Sequence, residues 1–185
     1  GLDRPIGEYF DLIAGTSTGG ILAIGLGLGL SANELLRLYV ERGPHIFGAD
    51  GSGLPAFFNG IGRWIRHWVA PKHDADALRH ELEAILGTKR LGDAQTRLLI
   101  PAWDPAHRSV SIFKTAHHPR LKTDYERLAV DAAMATAAAP TYFKRHTTAE
   151  HVGLFDGGVW ANNPIALAVV EAISMLGWPA SSLRV

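Results

Sequence analysis

The chain has 185 residues, 47% of them hydrophobic, which is the size of one domain with apolar side chains enough for a sizeable core and too many for a disordered chain. Eighteen basic residues balance eighteen acidic ones, and the resulting zero net charge argues against a nucleic-acid polymer as partner. The absence of cysteine excludes a disulfide framework, a thiolate nucleophile and a cysteine metal site, and fits a reducing compartment.

In chain order, Tyr9 to Ala14 is a short apolar run that leads directly into Gly15-Thr16-Ser17-Thr18-Gly19-Gly20. An apolar stretch, Ile21 to Leu30, follows and is too short to span a bilayer. The pattern predicts buried strand, tight turn and buried helix. Gly25, Gly27 and Gly29 miss the dinucleotide fingerprint and are expected to allow close helix packing. Ser31-Ala32-Asn33-Glu34 has capping-box spacing, which opens a helix over about 32–42 burying Leu35, Leu36, Leu38, Tyr39 and Val40.

Residues 43–60 lack periodicity and read as an irregular excursion. Residues 57–68 then place Phe57, Phe58, Ile61, Trp64, Ile65 and Trp68 at helical spacing, with Arg63, Arg66 and His67 opposite. This helical, aromatic insertion is either packed onto the core or an interfacial helix, with Phe57, Phe58, Trp64 and Trp68 facing a membrane. Asp74 is placed to cap a helix over about 75–86, closed by Gly87. Strands over 96–103 and 109–113 form a hairpin turning at Asp104-Pro105-Ala106-His107.

A helix from about Tyr125 to Ala138 must stop before Pro140. Leu154-Phe155 ends a strand at Asp156-Gly157-Gly158, and Pro164 sits in the first turn of a helix running to about Leu176. The alternation gives the fold class: α/β, with a mainly parallel central sheet flanked by helices and carrying the hairpin. His117-His118 and the pair His146 and His151 lack metal-ligand spacing and read as surface or partly buried side chains.

Gly15-x-Ser17-x-Gly19 is the most informative stretch. A serine between strand and helix is forced into a strained turn that presents its hydroxyl at the sheet edge. Glycines on both sides are expected to avoid collision of a Cβ with neighbouring backbone. The helix N-terminus favours developing negative charge, and the Thr18 N–H can donate to an oxyanion. The competing reading, a turn that cradles phosphate, lacks the lysine that should follow the glycines.

The base is the next question. An α/β-hydrolase order of serine, acid, histidine is strained, since none of the nine histidines follows Asp156 and His146 and His151 could pair only with an earlier acid such as Asp124 or Asp131, neither of them at a strand end. Asp156, at a strand end and followed by Gly157 and Gly158, offers a carboxylate whose proton affinity burial beside Ser17 would raise. Taken by itself it also suits an Asp-Gly turn or a cap.

Together, Gly15-Thr16-Ser17-Thr18-Gly19-Gly20 and Asp156-Gly157-Gly158 resemble the paired signature of the patatin-like phospholipases. Phe10 to Ala14, Ala137 to Phe143 and Val159 to Pro164 are similar to the same family, in the same order. The similarity runs from about Ile6 to Val185 and is least typical over 44–70. The resemblance implies a three-layer patatin-like fold and a Ser17–Asp156 dyad that hydrolyses acyl esters of phospholipids or related lipids through an acyl-serine. It implies no metal and no cofactor. Residues 96–164 resemble the bacterial branch, which includes nucleotide-activated antiviral phospholipases, so a nucleotide activator is a further expectation. The expected setting is cytoplasmic, peripheral and transient at the inner membrane surface.

The family also carries a glycine-rich oxyanion loop upstream of its nucleophile turn, which nothing in Gly1 to Glu8 matches. Leu183-Arg184-Val185 reads as a strand barely begun. The chain is therefore expected to be one domain truncated at both ends, and nearly inactive on its own. The alternative is a catalytically silent binding or regulatory module.

Overall fold

Five strands and five helices carry the site in the computed structural model, which describes residues 5–42, 75–138, 146–147 and 153–185. Strand β1 is Leu12–Ala14, and helix α1, Thr18–Gly27, follows the serine turn at once. Helix α2 is Ala32–Arg37, continued by a π-helical turn over Leu38–Arg42, and α3 is Ala75–Leu86. Strands β2, Arg97–Asp104, and β3, Ser109–Lys114, form the expected hairpin. Helix α4 is Ala129–Ala137, β4 is His146–Thr147 and β5 is Gly153–Asp156. Helix α5, Ile165–Val170, ends in a second π-helical turn over Glu171–Met175. This is the α/β architecture expected, with a sheet of mixed pairing.

The pairing decides where the site falls. Strand β3 takes one edge of β2 along Leu99–Asp104. The other edge is shared: β1 pairs parallel with Arg97–Leu99, and β5 pairs antiparallel with Ala102 and Trp103. Ala14 stands opposite Leu99 and Asp156 opposite Ala102, so the two strands run toward each other and end head to head on one edge. The segments leaving both ends must therefore meet over Ile100 and Pro101.

The core lies between this sheet and helices α1, α3 and α4, and includes Ile21, Ile24, Leu82, Leu98, Ile100 and Val130. Helix α1 is apolar around most of its circumference because it is buried against both β2 and α4. The alanine tract of α4 is the complementary surface, with Ala132, Ala133 and Ala135 fully buried. Gly25 faces Leu35 and Gly27 faces Leu98 at distances that leave no room for a Cβ, as close packing requires.

Several boundaries differ from expectation. The helix expected from Tyr125 begins only at Ala129, because Leu128 forms an isolated antiparallel bridge with Arg90 and Asp124–Glu126 is a 3-10 turn. Leu36 is 44% exposed rather than buried, while Leu35 and Leu38 point inward. Pro164 precedes α5 rather than joining its first turn. Leu183 to Val185 carries no strand. The Ser31–Glu34 capping box forms as read, with the Glu34 carboxylate accepting from the Ser31 N–H at 2.7 Å. Asp74, His151 and the aromatic stretch with Phe57, Phe58, Trp64 and Trp68 lie outside the described residues.

Candidate functional site

Ser17 occupies the turn between β1 and α1 at φ 57 and ψ −126, a left-handed conformation that a serine rarely adopts. Such strain costs about 1–3 kcal/mol and persists only where the surroundings over-determine it. Here the turn is held from several sides. The Gly15 N–H donates to Leu99 O at 3.3 Å, extending the β1–β2 ladder by one residue. A Cβ on Gly15 would collide with the carbonyl of Gly19, so the turn cannot close around a larger residue. The Thr16 hydroxyl donates to Ala161 O at 2.9 Å, and the Ser17 N–H donates to the Thr136 hydroxyl at 3.0 Å.

The expectation for the second glycine is corrected. A Cβ on Gly19 would meet nothing within 4 Å, whereas one on Gly20 would lie 2.6 Å from Thr136 Cγ2. Close approach of α1 to α4 thus falls at Gly20, and steric need does not account for Gly19.

Asp156 ends β5 and its backbone N–H donates to Ala138 O at 2.7 Å. Its side chain reaches the serine: the Ser17 hydroxyl donates to Asp156 Oδ2 at 2.5 Å, across 139 residues of sequence. The other oxygen, Oδ1, accepts from the Gly158 N–H at 2.6 Å. Gly157 lies against Pro101 O so closely that no Cβ fits, and this contact lets the chain turn away from β5 beneath the serine. Asp156 is only 5% exposed, and burial pushes its carboxyl above the ordinary Asp range despite the hydrogen bonds from Ser17 and Gly158 that favour the carboxylate.

Thr18 heads α1, where the first amides have no intrahelical acceptor and the helix dipole is positive. Its N–H therefore remains available to a developing oxyanion. The amide of Ser17 itself is committed to Thr136. Ser17, Asp156, Gly15, Thr16, Thr18, Gly157 and Gly158 thus come together in one place.

Sequence reasoning missed Thr136, whose hydroxyl is fully buried and joins Ser17 to β2. Only its polarity inside an alanine tract marked it. Val159 and Trp160, each 52% exposed just beyond Gly158, were noticed only as part of a motif. The histidines follow another pattern. The side chain of His117 is buried, with its Nε2 on Glu171 Oε1 at 2.9 Å and its Nδ1 on the Thr115 hydroxyl at 2.8 Å. His107 sits on Asp104 at 2.7 Å. Among the described residues the side-chain partners of Asp156 are Ser17 and the Gly158 amide, and no histidine joins them.

Comparison with known proteins gives a consistent picture. The family model for patatin-like phospholipase matches residues 1–169. The chain is 40% identical over 176 residues to a cGAMP-activated phospholipase of Pseudomonas aeruginosa, covering 95% of this chain and 50% of that protein. It is 38% identical over 168 residues to a cGAMP-activated phospholipase of Vibrio cholerae, covering 90% and 47% respectively. Patatin-like protein 2 of Arabidopsis thaliana is 34% identical over 199 residues, covering 98% of this chain and 47% of that protein. The chain spans about half the length of the curated relatives it matches. A matching model over most of its length, relatives of this similarity and the expected motifs agree that the chain belongs to the patatin-like phospholipase family.

Proposed function

We propose that this protein is a lipid acyl hydrolase that cleaves acyl esters of phospholipids, with Ser17 as nucleophile and Asp156 as its base. The observation that carries the reading is the 2.5 Å hydrogen bond from the Ser17 hydroxyl to a buried carboxylate, made by a serine in a strained turn at a helix N-terminus. That distance is typical of a charge-assisted O–H to carboxylate bond, and the geometry is ready for proton transfer.

Ser17 Oγ attacks the ester carbonyl carbon as its proton passes to Asp156 Oδ2, and the carbonyl π pair moves onto oxygen. The Thr18 N–H and the positive end of α1 meet that oxyanion. Collapse re-forms the carbonyl and expels the alcohol, which takes the proton from Asp156 and leaves an acyl-Ser17 ester. Water then attacks the acyl carbon, giving its proton to Asp156, and the second collapse releases fatty acid and returns the proton to Ser17.

The half-exposed Val159 and Trp160, with Ile165 at 49% exposure, offer apolar surface beside the base loop for acyl chains at a lipid surface. Among the described residues no helix is long and apolar enough to cross a membrane. The proposed encounter is peripheral and transient. Activation by a nucleotide is the further part of the reading, supported by the naming of the bacterial relatives as cGAMP-activated.

The test is release of fatty acid from phospholipid vesicles, with and without cGAMP, by wild type, Ser17→Ala, Asp156→Asn and the double variant. Each single variant is expected to lose nearly all hydrolysis and the double variant to match them, since the two groups act as a unit. Activity surviving Ser17→Ala would sink Ser17 as the nucleophile, whereas no hydrolysis by wild type, with or without cGAMP, would leave a binding module. Equal rates with and without cGAMP would remove the nucleotide from the proposal.

A further inference from the structure

We propose that the C-terminal turn of α4 acts as a jig that holds the nucleophile and the base in register, and that Thr136 is its positioning residue. The inference rests on the reading of Ser17 and Asp156 above. Two residues apart on one backbone, Thr136 and Ala138 hold the two halves of the site. The Thr136 hydroxyl accepts from the Ser17 N–H at 3.0 Å, and the Ala138 carbonyl accepts from the Asp156 N–H at 2.7 Å. Among the described residues no strand pairing connects the serine turn to Asp156, because β1 and β5 end head to head on β2 without touching as neighbours in the sheet. Helix α4 spans that gap.

The direction of the hydroxyl is fixed as well. Thr136 Oγ1 donates to Pro101 O at 2.7 Å, which turns its lone pairs toward the Ser17 amide. The same Pro101 carbonyl abuts Gly157 in the base loop. A single fully buried hydroxyl therefore ties the nucleophile's backbone to the strand against which the base loop rests. Thr136 Cγ2, which fills the space over Gly20, fixes the side-chain rotamer by packing. A backbone held at φ 57 needs such restraint, since without it Ser17 relaxes toward an ordinary conformation and its hydroxyl leaves the carboxylate.

Thr136→Val keeps the shape and removes the hydroxyl, Thr136→Ala removes it with no added bulk, and Thr136→Ser keeps it. These variants, with wild type and Ser17→Ala, are assayed on a short-chain soluble ester. Active sites are counted by fluorophosphonate titration and folding is followed by thermal midpoint. For the valine variant the expected result is a fall in kcat per titrated site of about ten- to a hundredfold, with KM little changed, as a small misplacement of reacting groups produces. Thr136→Ser is expected within about threefold of wild type. The acid limb of the valine variant's pH profile should move to higher pH, because a displaced Ser17 no longer supports the Asp156 carboxylate.

A lowered thermal midpoint with unchanged kcat per site in Thr136→Val and Thr136→Ala would reduce Thr136 to a packing residue and overturn the proposal. A Thr136→Ser variant as slow as Thr136→Ala would also overturn it. In either case an inactive Ser17→Ala leaves the nucleophile assignment standing, whereas an active Ser17→Ala removes both. Should Thr136→Val not fold, the alanine and serine pair carries the same comparison.

Discussion

A carboxylate that is 5% exposed and, among the described residues, has two hydrogen bonds but no cation beside it is costly to keep ionised, and Asp156 is in that position. Its proton affinity is raised chiefly by burial, so the folded protein takes up this proton more readily than the unfolded chain. The sign for stability follows: stability from this group is gained as pH falls through the raised value and is lost as pH rises. Asp156→Asn is therefore expected to raise the thermal midpoint at neutral pH while destroying activity, and the gap to wild type should close on acidification. Thermal melts of both proteins across pH 4–8 check this. In the proposed mechanism activity runs the other way, because Asp156 must be ionised to act as base, so the acid limb of kcat/KM should lie above the range of about 3.9 for an ordinary Asp. The Ser17 turn was legible in the sequence because its close approach demands glycine at position 15, whereas Asp156, which by itself also suits a turn or a cap, was singled out by the resemblance of its motif. Thr136 was not, since a threonine within a helix announces no partner 119 residues away.

At the level of elements, α4 was read with the right identity and the wrong start, because the Arg90–Leu128 bridge is a long-range contact that no local pattern records. Its alanine tract is the contact surface for α1 and β2. Ala133→Leu should therefore overpack this interface and lower stability by about 1–3 kcal/mol, measurable by urea unfolding. A second element carries a buried charge cluster. Glu171, in the π-helical turn after α5, accepts from Lys114 Nζ at 2.7 Å and pairs with His117 at 2.9 Å. Burial works to raise its proton affinity, but the hydrogen bonds from Lys114 and His117 outweigh it and hold the carboxyl below the usual range. That contribution is full at neutral pH and fades as pH falls through the depressed value. Glu171→Gln should cost about 1–3 kcal/mol at pH 7, because the part-buried Lys114 then loses its counter-charge, and less at low pH.

For the whole molecule, the α/β class followed from the order of strands and helices, while the head-to-head meeting of β1 and β5 did not. Strand order and direction depend on which edges of β2 remain open, and period-two patterning is silent on that. The aromatic run at 57–68 lies outside the described residues, and among those described the half-exposed Val159 and Trp160 follow directly on Asp156-Gly157-Gly158. Trp160→Ala is expected to raise the apparent KM on phospholipid vesicles several-fold and leave a soluble short-chain ester unaffected, a comparison of two substrates in one assay series. The central claim, that Asp156 activates Ser17, is tested most directly by the labelling rate with a fluorophosphonate, mapped by peptide mass spectrometry. The account predicts a single label on Ser17, formed about a hundred- to ten-thousandfold more slowly in Asp156→Asn. A label on another residue, or an undiminished rate in Asp156→Asn, would contradict it.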